Sequence, residues 1–254
     1  MRVSIVASSP QDPERNHYLT TFLVNGTLAV DAGSLGLYRD PGDQTAVRNI
    51  LLTHSHADHI GSLPVFLENT SWHRRETPAL YGSGTTLESL RQHVFNDRIW
   101  PDLSRLSGEN GRFLDLHALE PEKPVDLDGL RITPVAVHHT VPTFGYLVDD
   151  GTVAVAFGGD SGPTDRIWEL ARAGSPLRGA FLECTFPDSM TVHAHRTGHL
   201  TPSLLAAEMT KLPEGTRVIV VHIRPAFRIE VEAELAALGK SAVRLGRGGA
   251  DYDF

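Results

Sequence analysis

A single cysteine, Cys184, is present in 254 residues, so neither an internal disulfide nor a cysteine-based zinc site is available. No apolar run reaches the roughly 18 residues needed for a membrane-spanning helix, and the start MRVSIVASSPQDPERN lacks a basic segment followed by a long apolar one. Both features lead us to expect a cytoplasmic protein without a membrane partner. Positive charge is also scarce. Lys and Arg number 23 against 31 Asp and Glu, a formal net charge of −8. A broad nucleic-acid footprint needs clustered cations, so this balance argues against nucleic acid as a partner. It leaves a small phosphate substrate open, because bound cations reverse the local potential. There is no linker, low-complexity tract or sequence repeat, although a two-sheet sandwich could still hide two similar halves.

What the chain has in excess is histidine, with thirteen copies gathered in a few polar segments. The densest is NILLTHSHADHIGSLP, residues 49–64, where the apolar run Ile50, Leu51 and Leu52 ends in His54, His56, Asp58 and His59. An apolar run of this length reads as a buried strand, and residues at its end are placed rigidly by the core behind them. Four metal-capable side chains within six positions are too many for core histidines. Imidazole suits zinc, iron and related transition metals, and carboxylate adds charge. In an extended turn His54 and His56 converge on one ion while Asp58 and His59 face a second, so the segment suggests two metals.

Strands are predicted at residues 2–7, Leu19–Val24 and Thr27–Val30, the last two joined by Asn25-Gly26, a strong turn signal. Further strands are expected at Leu80-Tyr81, Arg112–Leu116, Val125–Leu127, Leu130–Val137, Gly145–Val148, Val153–Phe157, Ala180–Leu182, Val218–Val221 and Ala242–Leu245. Helical spacing appears at Leu63–Glu68, Thr85–Val94, Thr164–Ala173, after Pro202, and at Ile229–Leu238. A short helix interrupted by Pro41-Gly42 is expected within residues 34–48, and Pro187–Thr197 reads as a polar loop. In residues 93–104, Phe95 and Trp100 read as packing a helix end. Strand groups alternating with amphipathic helices suggest a sheet-rich core with helices outside.

Four of these runs end in metal-capable residues: Leu52 before the histidine cluster, Val137 before His138-His139, Phe157 before Asp160, and Val221 before His222. Together they describe a rim where strands deliver ligands to one place. Asp31, at another strand end, is either a turn residue or a support for the cluster from behind.

The His54–His59 stretch matches the HxHxDH signature of the metallo-β-lactamase superfamily, with Asp31, His139, Asp160 and His222 at its later motifs. Within that superfamily the chain resembles the class II 3′,5′-cyclic-nucleotide phosphodiesterases, through HSHADHIGSLP, HVFNDRIWPDLS, FGGDSGPTDRIW, FLECTFPDS, GHLTPSLLAAEM and VVHIRP. The resemblance implies an α+β fold, an αββα sandwich of two mixed β-sheets packed face to face with helices on the outer faces, in one domain over residues 1–254. It implies that His54, His56 and His139 hold one divalent ion, that Asp58, His59 and His222 hold the other, and that Asp160 bridges them. His138 is not implied as a ligand, because His139 has the family's spacing to Gly145-Tyr146. The default metal is Zn2+, with Mn2+ or iron as alternatives.

The implied reaction is hydrolysis of a cyclic nucleotide, cAMP or cGMP, to the nucleoside 5′-monophosphate by a hydroxide shared between cations about 3.5 Å apart. Asp58 and Asp160 join the catalytic set. His199 is the candidate acid or phosphate ligand; its competing role is to cap the helix after Pro202. Arg224 could neutralise phosphate or simply lie at the surface, and Asn96 could meet the sugar or base. A homodimer is a reasonable expectation from the superfamily.

A tRNA 3′-processing endonuclease shares much of this pattern. However, only thirteen residues separate Tyr146 from Asp160, where that family inserts a long basic arm. A β-lactam hydrolase fits worse, and a nonenzymatic metal-binding domain would be expected to have lost a ligand, whereas all seven positions are filled.

Overall fold

Strands in this chain pair first with their sequence neighbours and then, through helical crossovers, in parallel. The computed structural model describes residues 1–9, 11–12, 18–73, 76–103, 105–106, 113–239 and 243–254. Its strands are β1 (Arg2–Ile5), β2 (Phe22–Val24), β3 (Leu28–Val30), β4 (Asn49–Leu51), β5 (Ala79–Gly82), β6 (Asp115–Ala118) and β7 (Val125–Leu127). They continue with β8 (Leu130–Val137), β9 (Thr143–Asp149), β10 (Ala154–Phe157), β11 (Leu177–Glu183), β12 (Arg217–Val221), β13 (Val243–Leu245) and β14 (Asp251–Asp253). The helices are α1 (Pro41–Gln44), α2 (Ala57–Ile60), α3 (Leu63–Ser71), α4 (Gly84–His93), α5 (Arg166–Ala171), α6 (Thr191–Thr197), α7 (Pro202–Met209) and α8 (Arg228–Ala237).

Two seven-stranded sheets result, ordered β14-β1-β2-β3-β4-β5-β6 and β13-β12-β11-β10-β9-β8-β7. In the first, the pairings are antiparallel from β14 to β3 and parallel from β3 to β6. In the second, they are antiparallel from β7 to β10 and parallel from β10 to β13. The two halves therefore share one plan that the sequence does not display as a repeat. The Asn25-Gly26 turn is left-handed at both residues, with φ of 50° and 74°, as a tight hairpin requires.

Side chains alternate across each strand and so feed separate layers. Facing inward between the sheets, Phe22, Phe157 and Phe181 lie with ring centroids 5.0–5.3 Å apart. Facing outward on the first sheet, Ala29, Ile50 and Leu52 meet Leu63, Phe66 and Leu90 of the helices. On the second, Ala156, Ala180 and Val220 meet Ile167, Trp168, Leu205 and Val231. Helix, sheet, sheet and helix thus stack in four layers, as expected from the sequence.

Several local expectations differ from the structure. Pro41 begins α1 instead of interrupting a helix, which suits a residue with fixed φ and no N–H at a first turn. Residues 188–197 are helical, as a 3-10 turn at Asp188–Met190 followed by α6. That segment buries only Ala194, so it carries no apolar stripe to announce it. Strand β14 was missed because Asp251, Tyr252 and Asp253 are an outer, polar edge. The histidine cluster is extended over His54–His56, as expected for that pair, and turns helical after it: His56 caps α2, and Asp58 and His59 lie within it. The proposed strand starts at Arg112 and Ala242 fall outside the described residues. Among the described residues, no helix is long and apolar enough to cross a membrane.

The loop after Asp160 is held from below by a buried carboxylate. Glu208 Oε2 accepts the Trp168 indole N–H at 2.8 Å, and Oε1 accepts the Thr164 N–H at 3.3 Å and Lys211 Nζ at 2.6 Å. Glu208→Ala strands the buried indole donor and removes a partner of the lysine, so we expect a loss of about 2–4 kcal/mol in urea unfolding. Glu208→Gln, which keeps one acceptor, is expected to lose less.

Candidate metal centre

Five strand ends open on one edge of the sandwich. Strand β3 runs into Asp31, β4 into Thr53-His54, β10 into Asp160, β11 into Glu183 and β12 into His222. Asp31 and His222 sit at φ of 61° and 54°, a left-handed conformation that costs a non-glycine residue energy and recurs at functional sites. Close packing fixes the turns around them. A Cβ on Gly33 would stand 2.0 Å from the Asp58 carbonyl oxygen, and one on Gly198 would stand 2.7 Å from the His139 Cα. The first glycine lets the α2 turn seat on the end of β3, where Thr20 N–H donates to the Asp58 carbonyl at 2.8 Å. The second lets its own carbonyl reach 3.1 Å from His139 Nδ1.

The ligand atoms of His54, His56, His139 and Asp160 lie within 4.8 Å of one another, as do those of Asp58, His59, Asp160 and His222. Asp160 belongs to both groups. Its Oδ2 is 3.9 Å from His54 Nε2, 4.0 Å from His139 Nε2 and 3.3 Å from His222 Nε2, while its Oδ1 is 3.3 Å from His59 Nε2. Asp58 Oδ2 is 3.1 Å from His222 Nε2 and 3.8 Å from His59 Nε2. All seven sequence-predicted ligands are therefore brought together. His138 is exposed, beside the site but in neither group, and its carbonyl accepts the Gly162 N–H at 2.9 Å.

Charge divides the two groups. Burial, reinforced by the neighbouring His59, pushes His54 down to about 2, and burial also lowers His56 and His139, so this side is neutral imidazole. Burial opposes charge on His59 and His222 as well. There it is outweighed by Asp160 acting with Asp31 on the first and with Asp58 on the second, and both histidines are raised. The carboxylates respond in kind. Burial favours their neutral forms, but His222 and His59 hold both Asp160 and Asp58 below the usual carboxylate range.

A divalent cation fits this donor set. The Nε2 atoms of His54 and His59 are buried and make no well-formed hydrogen bond among the described residues, a costly state for a polar atom that lacks a ligand. Imidazole nitrogens and a shared carboxylate, with no thiolate, are the chemistry of zinc, manganese or iron sites.

Behind the ligands lie Asp31 and three residues, Thr53, Glu183 and Thr185, to which sequence reasoning gave no role. Asp31 Oδ2 accepts the His59 Nδ1 proton at 2.7 Å, and Asp31 also accepts from the Thr53 N–H at 2.8 Å and the Thr53 hydroxyl. This resolves Asp31 as a support of the cluster. Glu183 does the same on the other sheet. It accepts His199 Nδ1–H at 2.7 Å, Ser161 N–H at 2.8 Å, Leu200 N–H at 3.2 Å and the Thr185 hydroxyl. A carboxylate at the end of a buried apolar strand was the available signal for Glu183; Thr53 and Thr185 gave none.

His199 is buried, its ring 4.9 Å from that of His139 and 5.8 Å from that of His222. Arg224 is exposed, with its guanidinium 5.3 Å from the centre of the Phe186 ring, which in turn packs on His199 at 5.5 Å. Asn96 is engaged in its own turn. Its Nδ2 donates to the Gln92 carbonyl at 2.9 Å, and its Oδ1 accepts the Arg98 and Ile99 N–H groups at 3.0 Å.

Comparison with known proteins agrees with this fold. The family described as the beta-lactamase superfamily domain matches residues 21–223. A probable 3′,5′-cyclic-nucleotide phosphodiesterase of Yersinia pestis is 26% identical over 209 residues, covering 72% of this chain and 59% of that protein. The 3′,5′-cyclic-nucleotide phosphodiesterase 1 of Saccharomyces cerevisiae is 27% identical over 214 residues, covering 70% of this chain and 56% of its own length. The chain thus spans under two thirds of these curated relatives. Among solved structures, unliganded yeast PDE1 superposes with a TM-score of 0.77 at 19% identity, with 98% of each chain covered. The short form of human tRNase Z does so with a TM-score of 0.69 at 19% identity, covering 100% of this chain and 99% of that one. At such identities these structures support the fold alone.

His59 and His222 are raised, so a proton competes with an ion for their Nε2 atoms. Zinc binding at pH 7 is therefore expected to release protons, and its apparent affinity to fall as pH drops from 8 to 6. Calorimetry in buffers of differing ionisation enthalpy measures both. Uptake with no proton release and no pH dependence would contradict the charge assignment.

Proposed function

The chain belongs to the β-lactamase superfamily, and from that premise we propose that it is a metal-dependent phosphodiesterase that hydrolyses 3′,5′-cyclic nucleotides to nucleoside 5′-monophosphates. Two metal-ligating groups in this fold support metal-dependent hydrolase activity. The observation that carries the phosphodiester reading is the sharing of Asp160 by both groups with a carboxylate-held histidine, His199, alongside them. The choice of a cyclic nucleotide is supported by the six motifs quoted above and by the named activities of the curated relatives. We read residues 1–254 as one domain.

In this reading His54, His56 and His139 hold one ion, Asp58, His59 and His222 hold the other, and Asp160 serves both. Bound divalent ions supply Lewis-acid activation of water and neutralise charge on phosphate oxygens. His199, with Nδ1 committed to Glu183, is left with Nε2 to carry a proton to the departing 3′ oxygen. In-line displacement of that oxygen leaves the phosphate on the 5′ carbon. Arg224, whose guanidinium lies over Phe186 next to His199, would offer its positive charge to the phosphate. A contact of Asn96 with sugar or base would have to replace the hydrogen bonds its amide makes within its own turn.

The rival tRNA-processing reading rests on the overall likeness to tRNase Z. At the place of that family's basic arm, this chain has a tight hairpin in which Asp150 accepts the Thr152 and Val153 N–H groups at 2.9 Å. That turn, with the acidic balance, favours a small substrate.

Metal-replete protein assayed against cAMP, cGMP, an aryl phosphodiester and a precursor tRNA is expected to yield a 5′-mononucleotide and little cut tRNA. Robust tRNA cleavage with neither cyclic nucleotide turned over would reject the proposal.

A pair of variants tests the ligand set. Asp160→Asn is expected to lower kcat by at least about 100-fold, the upper end of what lost partners of metal ligands cost. Exposed His138→Ala should stay within about threefold, as surface changes do. Comparable losses would refute the assignment.

A further inference from the structure

One chemical device occurs twice at this edge, once in each half of the sandwich. In the first, Asp31 accepts the Thr53 hydroxyl at 2.8 Å and the His59 Nδ1 proton at 2.7 Å, and Thr53 Oγ1 lies 2.9 Å from His54 Nδ1. In the second, Glu183 accepts the Thr185 hydroxyl and the His199 Nδ1 proton, and Thr185 Oγ1 lies 2.9 Å from His222 Nδ1. Each unit is one carboxylate, one threonine hydroxyl and two imidazoles, one bound to the carboxylate directly and one through the hydroxyl.

Proton counting fixes the roles. A hydroxyl has a single proton to give, and an ionised carboxylate can only accept. The Thr185 proton goes to Glu183, which can only accept and is the nearest partner; His222 Nδ1 at 2.9 Å and the His222 carbonyl at 3.2 Å are farther. Thr185 Oγ1 is then an acceptor toward His222, whose Nδ1 must carry a proton, so that Nε2 is the nitrogen left to face an ion. That Nε2 is the atom that stands 3.1 Å from Asp58 and 3.3 Å from Asp160. The partner behind a ligating imidazole sets its tautomer, its angle and its basicity. A continuous run of hydrogen bonds therefore joins His222 through Thr185 and Glu183 to His199.

We propose that Thr185 is a positioning residue whose hydroxyl sets His222 for metal binding and ties it to the Glu183–His199 pair, as Thr53 sets His54 from Asp31. This rests on the reading of His222 as a ligand, but not on the identity of the substrate. It also explains why a threonine occupies a fully buried place between polar groups, where valine would match its shape and lack its hydroxyl.

The test compares Thr185→Val, which keeps the shape, with Thr185→Ser, which keeps the hydroxyl, in full-length protein titrated with Zn2+. For Thr185→Val we expect one of the two binding steps to weaken 10- to 100-fold while the other changes little, the range for lost partners of metal ligands. In zinc-loaded protein the hydrogen-bonded His222 Nδ1 proton, seen in 15N-edited spectra, should move upfield or exchange away. Thr185→Ser should restore both the affinity and the proton signal. Thr53→Val should leave the His222 proton in place and shift that of His54. Should the valine variant not fold, Thr185→Ala against Thr185→Ser makes the same comparison.

Wild-type affinity in both steps with an unmoved His222 proton in Thr185→Val would overturn the proposal. So would a serine variant as impaired as the valine one, because packing and not the hydroxyl would then be at work. These readouts need no substrate, so failure to hydrolyse cyclic nucleotides leaves the proposal standing. Wild-type protein that takes up no ion would remove it together with the ligand assignment.

Discussion

The site depends on two sheets meeting face to face. Each ligand group draws two residues from the first sheet's side and two from the second: His54 and His56 with His139 and Asp160, then Asp58 and His59 with Asp160 and His222. Neither half of the chain holds a complete set. The inward aromatic layer of Phe22, Phe157 and Phe181 is what presses the halves together, and two of those rings lie on strands that lead directly into Asp160 and Glu183. Burial of one such ring contributes about 2–3 kcal/mol, so the same apolar contacts that stabilise the sandwich also align its ligands. Strand register matters for the same reason. A one-residue slip turns every side chain to the opposite face and would send an inward ring outward.

Three buried carboxylates convert that alignment into chemistry. Asp31, Asp160 and Glu183 lie almost out of reach of water, where an unpaired negative charge is not tolerated. Each is matched differently. Asp31 and Glu183 fill their oxygens with N–H and O–H donors and so act as fixed anchors. Asp160 faces four imidazole nitrogens at 3.3–4.0 Å, distances that suit a positive charge between the groups better than direct hydrogen bonding. The carboxylates raise His59 and His222, which lie nearest them, while burial lowers His54, His56 and His139. The two ion positions are thus unlike each other before any ion arrives.

How much of this could be read from residues alone follows from where the signals sit. Apolar strands ending in histidine or aspartate are local features, so the strands before His54, His139, Asp160 and His222 were visible, and so was the layered fold. Helix α6 and strand β14 were not, because each lies at the surface and carries too few buried side chains to leave a period in the sequence. Glu183, Thr53 and Thr185 were overlooked for another reason. Their partners are His199 for Glu183, His222 for Thr185 and Asp31 for Thr53, and those partnerships exist only once the strand ends stand side by side. A threonine between apolar residues looks like any strand threonine until its neighbours across the sheet are known. The short helix α2 that carries Asp58 and His59 was not visible either, because four residues are too few to show a helical period.

The left-handed backbone at Asp31 and His222 shows what the arrangement demands of the chain. A residue in that conformation costs about 1–3 kcal/mol unless it is glycine. Glycine would relieve the cost at either place, and at neither place can it serve, since one position needs a carboxylate against Thr53 and His59 and the other an imidazole against Thr185 and Asp58. The strain is local to the ends of β3 and β12, where the chain must leave the sheet and still turn its side chain back over the edge. Hydrogen bonds to buried anchors offset it on both sides. Such a balance is stable only while the anchors are intact. The threonine–carboxylate units therefore do more than orient imidazoles: they hold two strand ends in a conformation that the backbone alone disfavours.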